Sequence, residues 1–177
     1  SILPLDDDET FRTLGDPTEG ALLVAAARLD YWKESLDASF PRIAELPFDS
    51  ERKRMTTVHS LAKHDPDLLV GLKVSDAKSI AFTKGSVDGL LEISSRVWVH
   101  GKFQEMDENW RSRIQKSNDE MAAKGMRVLG IALRLLDDEP TKVDATLESS
   151  LTFIGLFGMI DPPRPDVRDA IASCGTA

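Results

Sequence analysis

Few residues in this sequence combine the type and the setting that chemistry needs. Phe48 closes an apolar run at the polar turn Asp49-Ser50-Glu51, where its ring can face a cleft or fill a core. Lys53 lies in the basic run Arg52-Lys53-Arg54, which suits a solvated face as well as an anion contact, and Met55 beyond it offers soft apolar contact or simple packing. Lys84 follows Ala81-Phe82-Thr83 and precedes Gly85, so its stem can line an apolar cleft while its ammonium meets an anion. Glu19 stands three residues after Asp16, the position of a capping-box carboxylate. Arg127 opens an apolar run after Gly125 as a forked donor, and Leu129 shares its face at strand spacing.

Other chemistries lack support. The one Gly-Lys pair, Gly101-Lys102, has Arg96 five positions earlier and Phe103 after it, so there is no Gly-x-x-x-x-Gly-Lys-Ser/Thr loop. No Gly-x-Gly-x-x-Gly follows a strand. His59, His64 and His100 are isolated, and the single Cys174 can form no internal disulfide, which makes a reducing compartment the default. The acidic run Asp6 to Glu9 reads as a solvated loop or a weak cation site. With 22 basic and 30 acidic side chains the net charge is −8, which argues against a nucleic-acid partner but not against a small anion held by a local cationic cluster. The longest nearly apolar stretch, Leu151 to Ile160, is far short of the roughly 20 residues of a membrane helix.

The elements that must position these residues follow from local rules. Ser1 to Gly15 reads as irregular. Asp16, Pro17 and Glu19 open a helix that continues through Ala21 to Tyr31. Strands are expected at Ile43 to Phe48, Arg54 to Leu61, Leu68 to Val74, Ser79 to Thr83, Met126 to Leu135 and Leu151 to Ile160. Helices are expected at Val87 to Ile93 and at Asp107 to Lys124, the latter ended by Gly125. Short strands joined by tight polar turns favour antiparallel pairing. If Ile43–Phe48 pairs with Lys53–Leu61, Phe48 and Lys53 lie near each other across the turn. Asp161-Pro162-Pro163-Arg164-Pro165 breaks the pattern as a stiff connector, and Asp166 to Ser173 regains helical character. The division expected is one α+β domain over residues 1–160, then a hinge and the start of another unit over 161–177.

Five strings in order carry a resemblance. They are Gly15-Asp16-Pro17-Thr18-Glu19-Gly20-Ala21-Leu22, Pro47 to Met55, Phe82-Thr83-Lys84-Gly85-Ser86, Met126 to Ala132, and Asp161-Pro162-Pro163-Arg164. Together they resemble the nucleotide-binding domain of P-type cation-transporting ATPases, in particular the calcium-pump branch. The resemblance implies a twisted, mainly antiparallel sheet flanked by helices, a domain that binds ATP at the cytoplasmic face of a membrane. It also implies a partner, the phosphorylation domain of the same parent chain, whose aspartate receives the γ-phosphate. Asp161, Pro162, Pro163 and Arg164 would be the return hinge to it.

Carried over residue by residue, the resemblance makes Phe48 the ring on which adenine stacks, a contact worth about 1–3 kcal/mol by analogy with base–aromatic stacking. Lys53 would place a cation beside the base, Met55 and Leu129 would wall the pocket, and Lys84 would lie at the adenine. Glu19 would accept from the adenine amino group, and Arg127 would reach the ribose or the phosphates. Ser50 stands where animal reticulum-type calcium pumps carry an arginine near the phosphates. The chain has neither the Asp-Lys-Thr-Gly string of the phosphoryl acceptor nor the Gly-Asp-Gly segment that helps hold Mg2+. It is therefore expected to bind ATP without hydrolysing it, with Mg2+ held mainly elsewhere in the parent. The alternative is a regulatory or docking module that keeps the fold without the nucleotide. The transported ion stays open, since the residues that select it lie in membrane helices.

Overall fold

Asp16 starts the first helix as its side chain dictates: its Oδ1 accepts from the amides of Thr18 at 2.8 Å and Glu19 at 3.2 Å. The Glu19 amide, followed by the Thr18 amide, is the main influence that holds the Asp16 carboxyl below its ordinary range. A computed structural model describes residues 2–4, 11–13, 16–64, 69, 72 and 74–160. Strands β1 (Ile2–Pro4) and β2 (Phe11–Thr13) form a small antiparallel ribbon, where the sequence reading expected irregular chain.

Helix α1 (Pro17–Ala27) stops four residues before the expected end at Tyr31. The stop is built from backbone. The Asp30 amide donates to the Ala27 carbonyl at 2.9 Å, the Tyr31 amide donates to Ala26 at 2.9 Å, and Asp30 has φ of 64°. This left-handed closing residue is normally glycine, so aspartate hid the boundary. Helix α2 (Lys33–Ser39) was not anticipated; it has no side-chain cap, and Leu36 and Phe40 at its end supply its packing.

The remaining elements are β3 (Arg42–Asp49), β4 (Arg54–Ser60), β5 (Ser79–Gly85), α3 (Val87–Ile93), β6 (Ser94–Val99), β7 (Lys102–Glu105), α4 (Glu108–Ala122), β8 (Arg127–Leu136) and β9 (Leu151–Met159). The strand expected over Leu68–Val74 falls largely outside the described residues, and Val74 itself begins a 3-10 turn. The pair β6–β7 was also missed. It turns at His100 and Gly101, both with positive φ, a two-residue hairpin whose usual Asn-Gly signal is replaced by His-Gly. Gly125, with φ of 77°, closes α4 as expected.

Seven strands form one sheet in the order β3-β4-β5-β8-β9-β6-β7. Its pairings are antiparallel except β6–β9. That parallel pair needs a long crossover, which β7, α4 and β8 supply. Helix α3 and, from α4, Trp110 and Ile114 pack on one face over Val97, Ala132, Leu151 and Phe153. On the other face Leu36 and Phe40 meet Ile80, Phe82 and Leu133. The fold is α+β, as the sequence implied. The hinge expected at Asp161–Arg164 lies outside the described residues.

One ion network ties the β3–β4 hairpin to the rest. Glu148, in the 3-10 turn Ala145–Glu148 before β9, has a fully buried carboxylate. It accepts from Arg52 Nη1 at 2.5 Å, Arg54 Nε at 2.7 Å and Thr56 Oγ1 at 3.0 Å. Burial pushes its pKa up, but those three donors outweigh burial and hold it below the ordinary 4.5. A depressed carboxylate contributes stability that is complete above pH 4.5 and is lost as pH falls through the lower folded value. We expect Glu148→Gln to cost on the order of 2–4 kcal/mol, somewhat under the usual cost of breaking a buried pair because both arginines keep some water contact. Urea unfolding at pH 7 measures that loss, and repeating it toward pH 3 should show a shallower acid decline in the variant.

Candidate functional site

The edge strand β3 does not alternate regularly, and its two irregularities aim side chains. Arg42 pairs with His59, but Ala44 pairs with Val58 and Glu45 with Thr57. The extra residue between Arg42 and Ala44 puts Arg42 and Glu45 on one face, and Arg42 Nη1 donates to Glu45 Oε2 at 2.6 Å. A second shift follows Leu46, which pairs with Thr56, while Asp49 pairs with Arg54. Pro47 and Phe48 therefore oppose the single residue Met55, and a bulge of this kind re-aims the side chains it carries. Phe48 is 64% exposed, so its ring is not spent on the core.

Beyond Phe48 the chain turns tightly. Asp49 Oδ1 accepts from the amides of Glu51 and Arg52 at 2.9 Å each, and the Lys53 amide donates to the Asp49 carbonyl at 2.7 Å. Lys53 takes φ of 51° and precedes the first residue of β4. Phe48 thus lies on β3 just before the turn and Lys53 is the last residue of the turn, and the two do not form a cross-strand pair. The Lys53 carbonyl accepts from the Ser86 amide at 3.0 Å, which fastens the turn to the start of α3.

Behind the hairpin, strand register brings three side chains into a row. Met55 pairs with Lys84, and Lys84 pairs with Ile131. One step along, Thr57 pairs with Phe82 on the same face. These residues, with Glu19, Arg42 and Thr83, line a cavity of about 280 Å³. Across it the Lys84 ammonium donates to the Glu19 carboxylate; Lys84 is mostly buried while Glu19 is half exposed. The N-terminus of α1 has carried Glu19 onto the sheet, so the capping-box role expected of its carboxylate gives way to an ion pair.

The structure gathers Glu19, Met55 and Lys84 in one cavity and sets Phe48 opposite Met55. Arg127 lies apart. It lines an adjoining groove of about 560 Å³ along α1, and its Nη1 donates to Thr18 Oγ1 at 3.3 Å. Leu129 shares the strand face of Arg127 and Ile131, between the two hollows. Arg42, Thr57, Phe82 and Ile131 were missed by sequence reasoning. Strand periodicity from Met55 and Lys84 would have found Thr57 and Phe82, whereas Arg42 depends on a bulge that no local signal announces. Among the described residues, no three His, Cys, Asp or Glu side chains gather as a metal site. No described helix is long and apolar enough to cross a membrane.

The sheet is seven-stranded and mainly antiparallel, with helices on both faces and an acid–lysine cavity over β4, β5 and β8. Comparison with known sequences gives the class, that of P-type ATPase cytoplasmic N domains. The chain belongs to that family: residues 2–166 match P-type ATPase, cytoplasmic domain N. It is similar to Calcium-transporting ATPase 1 of Bacillus cereus, 38% identical over 92% of this chain and 17% of that protein. Calcium-transporting ATPase 1 of Lactococcus lactis is 36% identical over all of this chain and 19% of its own length. Calcium-transporting ATPase 1 of Saccharomyces cerevisiae is 36% identical over 89% of the chain and 15% of its own length. The chain thus spans less than a fifth of these relatives.

Gly85 fixes the distance between the lysine and the hairpin. A Cβ there would lie 2.5 Å from the Arg54 Cβ and 2.6 Å from the Lys53 carbonyl oxygen, both part of the chain that carries the turn. Gly85→Ala should therefore push the turn away from β5 and cost about 1–3 kcal/mol by overpacking. Thermal unfolding measures the cost, and amide shifts concentrated at residues 48–55 would locate the displacement.

Proposed function

We propose that this chain is the ATP-binding domain of a P-type cation pump, with calcium as the cargo that its relatives' names favour. The supporting observation is the convergence of Glu19, Met55 and Lys84 on one base-sized cavity beside an exposed Phe48. Adenine stacks on the Phe48 ring, and Met55 and Leu129 contribute apolar wall. Its amino group donates to Glu19, so the carboxylate that now accepts from Lys84 shares itself with the base. Guanine presents a carbonyl oxygen at the equivalent edge and would face a carboxylate that can only accept.

The phosphates run toward Arg127 and Lys53, which supply forked and point-like positive charge. Ser50, exposed in the turn, leaves that end with one cation fewer than some relatives of the resemblance. Magnesium arrives with ATP and is held mainly by other parts of the parent pump. There the domain works at the cytoplasmic face of the membrane and positions the γ-phosphate for an aspartate of the phosphorylation domain. Its contribution is placement rather than bond-making. The isolated chain binds ATP and leaves it intact.

With most phosphate contacts supplied elsewhere, the dissociation constant should be on the order of 0.1–5 mM. An amide-shift titration with ATP and then GTP tests the reading. Saturable, ATP-selective shifts around Glu19, Phe48, Lys84 and Arg127 are expected, and Phe48→Ala should weaken ATP by at least about fivefold. A well-dispersed spectrum that ATP leaves unmoved would overturn the reading and favour a docking module.

A further inference from the structure

We infer that Arg42 is a further nucleotide-binding residue, a donor to the inner edge of the base that must exchange Glu45 for it. The inference rests on the nucleotide reading of the cavity. It starts from the bulge that turns Arg42 onto the site face, where it lines the cavity with Thr57, Phe82 and Lys84. In an unbroken strand Arg42 and Glu45 would point to opposite sides. The bulge gives them a common face, and the carboxylate parks the guanidinium at the cavity mouth.

The spacing suits a base lying between two ends. Phe48 stands at the level of Met55, and Arg42 stands at the level of His59. Four residues of strand separate those levels, roughly 13 Å at the usual rise. That length is filled by an arginine side chain reaching inward and a purine stacked at the other end. Between them the floor is Met55, Thr57, Phe82 and Ile131, which leaves few donors for a ring nitrogen. Lys84 is engaged with Glu19, so Arg42 is the cation placed to serve that edge. A guanidinium can only donate, which suits the acceptor nitrogens of a purine, and its plane can also lie against the ring.

The ion pair with Glu45 is half exposed on both sides, so opening it is cheap. Adenosine separates a base contact from a phosphate contact, because it carries no charge. We would titrate adenosine and ATP into the parent chain, Arg42→Ala, Glu45→Gln and the double variant, following amide shifts. Arg42→Ala should weaken both ligands by a similar factor, roughly 3–10-fold, as the loss of one typical solvent-accessible hydrogen bond would. Glu45→Gln should tighten adenosine about two- to threefold by freeing the guanidinium, and the double variant should lose that gain. A purely structural Arg42–Glu45 pair predicts no gain from Glu45→Gln. Adenosine affinity unchanged in Arg42→Ala, or a loss confined to ATP, would overturn the inference while leaving the nucleotide site standing. A parent chain that binds neither ligand would overturn both.

Discussion

The buried carboxylate of Glu148 is the constraint on which the site depends. Two arginines from one hairpin, Arg52 and Arg54, converge on it with Thr56, and Thr56 in turn shares a 2.9 Å hydrogen bond with Thr83 of β5. Removing these ions from water is unfavourable, so the network contributes less as net stability than as geometry. It leaves the hairpin one way to sit. Phe48 and Lys53 need no packing of their own to stay in place, because their backbone is held by residues nearly a hundred positions away in sequence.

On the opposite side of the sheet, position is set by register rather than by charge. Met55, Lys84 and Ile131 are neighbours because β4, β5 and β8 are paired without a shift across this stretch. Gly85 lets the hairpin close against β5, and Gly130 lets Leu90 and Phe153 pack beneath the same row. Small residues behind the sheet thus keep its front level where the cavity lies. The helix N-terminus that brings Glu19 is the one part of the wall not built on strands.

Much of this was legible in the sequence, and the failures have physical causes. Asp16-Pro17 announced α1 because capping is a local interaction, and Gly125 announced the end of α4 for the same reason. The end of α1 was overrun because Asp30 adopts a conformation usually reserved for glycine, and His100-Gly101 concealed the β6–β7 turn in the same way. In the site, Glu19, Met55 and Lys84 were legible as types and strings. Phe82 was within reach as the residue two before Lys84 on one strand, whereas Arg42 was not, since it enters the cavity through a bulge, a property of the assembled sheet. The Glu19 carboxylate looked like a cap and is instead half of an ion pair formed across 65 residues.

The irregularities of β3 have a consequence outside the cleft. Among the described strands β3 lies at the sheet's edge, and an edge strand is the usual starting point for intermolecular sheet growth. Two shifts of register interrupt that template within eight residues, Pro47 removes one donor, and Arg42 and Glu45 place charge along it. The same distortions that turn Arg42 onto the cavity face and leave Phe48 exposed also leave no straight rail for a foreign strand to follow. At high concentration this border of the molecule is thereby guarded against self-association.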